Sequence, residues 1–171
     1  MSFSKKVFLA LAVFGVTLTG CVQYSFTGTS IPSDVRTIYI SFFPDNSTSG
    51  LGNLSDQLNT ALIERFVNQS RLSLTSDEDG ADSRMSGTIQ SYRNRPFSVG
   101  GDQQANLNEI QITVRAKFQF ARDDEPVYEK NITGSATYNV RENPVDGELE
   151  AAREALQQIA NNAFNDAVSD W

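Results

Sequence analysis

From Ile110 to Phe120 the chain alternates without a fault. Ile110, Ile112, Val114, Ala116, Phe118 and Phe120 are apolar, and Gln111, Thr113, Arg115, Lys117 and Gln119 between them are polar. Successive side chains of a strand point to opposite faces, so this pattern specifies one face on a core and one face in water or against a polar partner. Arg122 to Pro126 reads as a turn, and Val127 to Val140 as the antiparallel partner strand. A half-buried sheet needs a cover on its apolar side only, and the rest of the chain supplies helices for it.

Two apolar stripes have helical spacing. Leu54, Leu58, Ala61, Leu62, Arg65 and Phe66 mark a helix from about Ser55 to Asn68, with Ser55 as its N-cap. Leu149, Ala152, Leu156, Ile159, Ala160, Ala163, Phe164, Ala167 and Val168 mark a longer one, about Gly147 to Val168, which Trp171 extends. The polar side of the long helix carries Glu, Gln, Asn and Asp where a membrane-surface helix carries Lys or Arg, so its stripe belongs to a core. Further strands are expected at Val35–Phe43, Leu72–Thr75 and Met85–Phe97, with a turn at Ser98–Asp102. In the first, Arg36, Ile38, Ile40 and Phe42 fall on one face, and Val35, Thr37, Tyr39, Ser41 and Phe43 on the other. The sum is an α+β fold: a mixed four- to five-stranded sheet with two helices packed on one face, its first strand–helix–strand unit a right-handed crossover. The other face stays polar and carries Arg115 and Lys117, with Arg93 and Arg95 on the preceding strand.

The N-terminus is a separate signal. Lys5 and Lys6, the apolar run Val7–Val16 and small residues after it have the three-part layout of a secretory signal peptide. Leu18-Thr19-Gly20-Cys21 resembles the bacterial lipobox, which implies cleavage before Cys21 and acylation of that cysteine; the alternative is an ordinary signal peptide with a coincidental cysteine. Cys21 is the single cysteine of the 171 residues, so no disulfide is available. The organisation expected is residues 1–20 removed, 21–34 a lipidated tether and 35–171 one domain. The apolar run is shorter than the ~20 residues of a spanning helix. No Asp follows Cys21, which favours the outer membrane; no acidic export tract follows either, which favours its periplasmic face.

Charge and composition narrow the function. The net charge is −7, and loss of Lys5 and Lys6 makes it −9, the wrong sign for nucleic acid. The chain has no histidine, which removes Ser-His-Asp and Cys-His catalysis and imidazole zinc sites. Asp123 and Asp124 are adjacent on a turn and do not face each other across a cleft, so no enzyme is expected. The acidic run Ser76–Ser83 lacks the spacing of an EF-hand and reads as a solvated loop. No metal or other cofactor is expected.

Several segments in order resemble one family. Cys21 to Gly28, Ser30-Ile31-Pro32, Phe42 to Asn46, Leu58 to Phe66, Leu72 to Leu74, Gly87 to Arg93, Gly101 to Gln103 with Ala105, Leu107 to Val114, and Phe164 to Trp171 are similar to the LptE family of lipopolysaccharide-assembly lipoproteins in its Bacteroidota form. The resemblance implies two helices on a four-stranded sheet. It also implies an anchor in the inner leaflet of the outer membrane, and a position as plug inside LptD, the β-barrel that inserts lipopolysaccharide in the outer leaflet. Basic residues proposed for lipopolysaccharide contact in enteric members have no matching motif here. Arg93, Arg95, Arg115 and Lys117 are therefore candidates for lipopolysaccharide or barrel contact on strand position alone; ordinary solvation of a strand's outer face is the competing reading. A stand-alone periplasmic lipoprotein binding a glycan or glycolipid is the alternative function, with aromatics near Tyr92 and Phe97 as its support.

Overall fold

The computed structural model describes residues 31–97 and 106–169. Cys21, most of the tether, the Ser98–Asp102 turn and Trp171 lie outside them. The elements are β1 (Thr37–Ile40), α1 (Leu54–Ile63, continued by a π-helical stretch Glu64–Asn68), β2 (Ser73–Leu74), β3 (Ser83–Pro96), β4 (Leu107–Phe120), β5 (Tyr128–Asn139) and α2 (Asp146–Ser169). The strands form one mixed sheet in the order β2-β1-β3-β4-β5. β1 runs parallel to both β2 and β3; β3, β4 and β5 are antiparallel. The α+β architecture expected from the sequence is the one observed, with five strands where the family resemblance implied four. The fifth is β2, two residues long yet paired with β1.

One face of the sheet makes the core. Ile110, Ile112, Val114, Ala116, Phe118 and Phe120 are all buried, as their alternation requires. Leu54, Leu58, Leu62 and Phe66 of α1 and Leu156, Ile159, Ala160 and Ala163 of α2 pack on them. Phe66 lies 5.8 Å from Phe118 and 5.2 Å edge-on from Phe164, and Phe118 lies 5.1 Å edge-on from Phe120, the geometry aromatic quadrupoles prefer. α2 turns alanines toward the sheet, so its backbone rides close to β5. A Cβ on Gly134 would sit 2.0 Å from the Ala155 carbonyl oxygen, so no side chain fits there. From that position Gln158 reaches over the sheet edge and accepts the outward N–H of Ser135 (3.1 Å).

The structure corrects three details. Ser55 is not the N-cap: α1 starts at Leu54, and Asn53 flanks it, its carbonyl accepting the Gln57 N–H (3.0 Å). The alternation expected over Val35–Phe43 fails on both sides of β1: Val35 and Ile38, expected on opposite faces, are both buried, and the pattern is lost again after Ile40. Phe43 is fully buried and Phe42 is 64% exposed. Gly87 is the cause, because its missing side chain leaves room for the Phe43 ring, whose Cε1 would lie 2.5 Å from a Cβ there. β3 also changes phase: Ile89 pairs with Val114 but Ser91 with Thr113, so Gln90 is a bulge. The bulge puts Tyr92 and Asn94, rather than Ser91 and Arg93, on the helix side.

β1 and β3 are tied at their start by one carboxylate. Asp82 accepts the N–H groups of Arg36 (2.9 Å) and Thr37 (3.0 Å) and the Thr37 hydroxyl (3.0 Å). These donors, the Arg36 N–H first, hold its pKa below the usual carboxylate range.

Candidate functional site

The side of the sheet away from the helices is built by the same alternation. β3 presents Arg84, Ser86, Thr88, Ser91, Arg93 and Arg95 there. β4 presents Glu109, Gln111, Thr113, Arg115, Lys117 and Gln119, and β5 presents Glu129, Asn131, Thr133 and Ser135. All four cations singled out from the sequence lie on this face. They do not form one cluster. Arg93 is opposite Gln111 and Arg95 opposite Glu109, whereas Arg115 and Lys117 sit four and six residues farther along β4. At 3.3–3.4 Å per residue the two pairs are separated by about 13 Å or more. Between them runs a strip of hydroxyls and amides, in which Thr113 and Thr133 hydrogen-bond to each other (3.1 Å).

The four cations also differ in what they touch. Arg95 pairs with Glu109 (2.7 Å), directly opposite, and Arg115 pairs diagonally with Glu129 (2.8 Å). Arg93 and Lys117 have no ion pair or hydrogen bond of the side chain among the described residues. The available charge is thus one cation at each end of the strip, each beside a guanidinium already held by a carboxylate. A free cation of this kind can form charge-assisted hydrogen bonds to phosphate or carboxylate without first breaking an internal pair. Glu109 and Glu129 were not foreseen as partners, because their contacts depend on strand register. Arg84 was missed as well; its place two residues before Ser86 signals the same face. Its guanidinium donates to the Glu78 carbonyl (2.7 Å) and to that of Asp79 (3.2 Å), so it is spent on the acidic loop.

Of the two aromatics that would serve a glycan site, Tyr92 is committed elsewhere. The Tyr92 ring packs against the core, and its hydroxyl donates to Glu148 at the start of α2 (2.5 Å). Burial, then that hydrogen bond, pushes its pKa up. Tyr128 is likewise raised, chiefly by burial, and its hydroxyl donates to the Ala163 carbonyl (2.9 Å). Asp123 and Asp124 lie in the β4–β5 turn, where their main-chain carbonyls accept from Gln119 (2.8 and 3.2 Å). On the opposite side of the molecule an open groove of about 330 Å³ runs between the helices, lined by Asp56, Gln57, Thr60, Glu64, Arg153 and Gln157. Among the described residues no group of acidic side chains is placed to hold a metal ion, and no helix is long and apolar enough to cross a membrane.

With this geometry in hand, the chain can be set beside known proteins. Residues 35–170 match the model of the family described as LptE, lipopolysaccharide-assembly. The chain belongs to the LptE family. The match covers the whole sheet and both helices. No curated protein sequence matches significantly. Solved structures of low identity share the fold. A protein from Xanthomonas campestris has a TM-score of 0.57 at 10% identity, covering 83% of this chain and 91% of its own. A hypothetical protein from Chlamydia trachomatis has a TM-score of 0.54 at 9% identity, covering 78% and 97%. A minor lipoprotein from Acinetobacter baumannii has a TM-score of 0.51 at 12% identity, covering 80% and 94%. At these identities the likeness concerns the fold alone. Family membership places the chain in lipopolysaccharide assembly.

Proposed function

We propose that this LptE-family chain is a non-catalytic lipoprotein, anchored through acylated Cys21 on the periplasmic face of the outer membrane, that plugs and assembles an LptD-type β-barrel. The barrel then inserts lipopolysaccharide in the outer leaflet. The observation that carries this reading is a polar face that nothing among the described residues covers. Three long strands present hydrophilic side chains there, and both helices lie on the other side. A plug in a water-filled lumen needs a stiff body with a polar surface, and this face provides one. Arg93 and Lys117 are its cations without a partner among the described residues, with Arg95 and Arg115 beside them. They are assigned here to the barrel wall or to the phosphates and acidic sugars of lipopolysaccharide. The chemistry asked of the chain is positioning and charge complementarity, with no bond made or broken.

The test is purification of the tagged full-length protein from its native membrane in mild detergent. A near-stoichiometric β-barrel of LptD type is expected with it. Recovery of the lipoprotein alone, under conditions that keep other barrel complexes intact, would contradict the plug reading and turn attention to a stand-alone glycan or glycolipid binder.

A further inference from the structure

The two long edges of the sheet are finished differently. At β5 the helix α2 comes close at Gly134, and Gln158 satisfies the edge at Ser135. At β3 the neighbouring chain stops early. Residues 41–46 follow β3 only as far as Ile89, through Ser41 N–H to the Met85 carbonyl (2.9 Å), Ile89 N–H to the Pro44 carbonyl (3.0 Å) and Asn46 N–H to the Ile89 carbonyl (3.0 Å). Beyond the bulge, β3 pairs on one side alone among the described residues. The Phe97 N–H bonds the Leu107 carbonyl (2.8 Å), which fixes the phase: Ser91, Arg93 and Arg95 turn their backbone groups to β4. Tyr92 and Asn94 therefore turn an N–H and a C=O each outward, and Pro96 a C=O. Among the described residues nothing accepts or donates to them. Pro96 falls on an outward position, where its missing N–H costs β4 no hydrogen bond.

Resting on the plug reading above, we infer that this open edge, Tyr92 to Pro96, takes up an extended segment of the barrel partner as an added strand, one that carries carboxylates on the side facing Arg93 and Arg95. Strand addition of this kind draws affinity from main-chain hydrogen bonds and selectivity from alternate side chains. Charge decides between occupants. A second copy of this chain is disfavoured. Antiparallel self-pairing centred on residue 93, 94 or 95 sets Arg93 against Arg93, Arg93 against Arg95, or Arg95 against Arg95, and like charges directly opposite are destabilising. The chain's own N-terminal segment falls short. Ile31, whose carbonyl accepts from Arg71, lies at the end of the sheet where β3 begins. With cleavage before Cys21, the ten residue steps to Ile31 reach about 33–36 Å at most; crossing the roughly 30 Å from Ser83 to Tyr92 leaves almost no length to pair along Tyr92–Pro96. An acidic strand from another protein meets both demands, with Arg93 unpaired and exposed to receive it.

Amide hydrogen exchange of the full-length protein, alone and in complex with the barrel recovered from native membranes, tests this. Alone, the Tyr92 and Asn94 amides should exchange quickly while those of Arg93 and Arg95 are protected. In the complex, Tyr92 and Asn94 should become protected too. Asn94→Pro removes one outward N–H and should weaken the complex about tenfold. Asn94→Ala loses the side-chain bonds to Tyr138 and Asn108 but keeps the N–H, and should weaken it far less. Arg93→Glu, which leaves the ladder intact, should weaken it as well. A complex in which Tyr92 and Asn94 exchange as fast as in the free protein would overturn the edge inference and leave the plug reading standing. Failure to recover any barrel would remove the plug reading, and the occupant named here with it.

Discussion

The two faces of this sheet are made by the same residues in alternation, and they do different work. On the helix side Ile110, Ile112, Val114, Phe118 and Phe120 are buried with no exposed surface and meet α1 and α2. On the bare side Gln111, Thr113, Arg115, Lys117 and Gln119 meet no other layer among the described residues. Burying a large apolar side chain contributes about 1.5–3 kcal/mol, so the covered face holds the fold. Exposed ion pairs contribute about 0–1 kcal/mol, so Arg115–Glu129 does not explain why the bare face is charged. The difference teaches where to look for function. Stability places few demands on the bare face, and its two cations without partners among the described residues, Arg93 and Lys117, are the ones proposed to serve the barrel.

That contrast can be broken in order of expected effect. Phe118→Ala removes the ring between Phe66, Phe120 and Tyr128 and should cost about 3–5 kcal/mol in a denaturant titration. A loss below about 1 kcal/mol would mean that the aromatic cluster is not the centre of the core. Gly134→Val drives a side chain into the Ala155 carbonyl and should cost about 1–3 kcal/mol, with α2 losing hydrogen-exchange protection before the sheet does.

Asp82→Asn tests the clasp between β1 and β3. The Asp82 pKa is lowered in the folded state, so in acid the unfolded chain binds more protons and stability rises with pH. The contribution is present above the unfolded pKa, about 3.9, and is lost as pH falls through the lower folded value. The variant should therefore be less stable at neutral pH and show a flatter decline in acid. An unchanged acid limb would rule out Asp82 as a source of it. The smallest effect on folding is expected on the bare face, where Arg93→Glu or Lys117→Gln should shift stability by no more than about 0.5 kcal/mol. A large loss from either would show that the bare face also carries the fold.

The covered face was the legible part of the chain. A period of 2 from Ile110 to Phe120 and helical stripes on both helices need only local geometry, so element types and layers followed from sequence. What escaped depends on distant residues. Phe43 turns inward because Gly87, 44 residues away, leaves a space for its ring. The bulge at Gln90 was faintly written in Ile89 and Tyr92, three apart where a strand wants two or four. The four candidate cations were placed correctly on one face, yet their division into held and unheld pairs was not readable. Glu129 lies directly opposite Lys117 but bonds Arg115, and only register and side-chain reach decide that. Cys21, on which the anchor rests, lies outside the described residues, and its acylation stands as the lipobox reading alone.

On the proposed reading the bare face binds the barrel while the covered face makes the fold. The direct test is to recover tagged wild-type protein and the double variant Arg93→Glu, Lys117→Gln from native membranes, and to measure the barrel that accompanies each. The expected result is a near-stoichiometric barrel with wild type and a severalfold loss with the double variant, at equal thermal midpoints. The double variant retaining as much barrel as wild type would contradict the account.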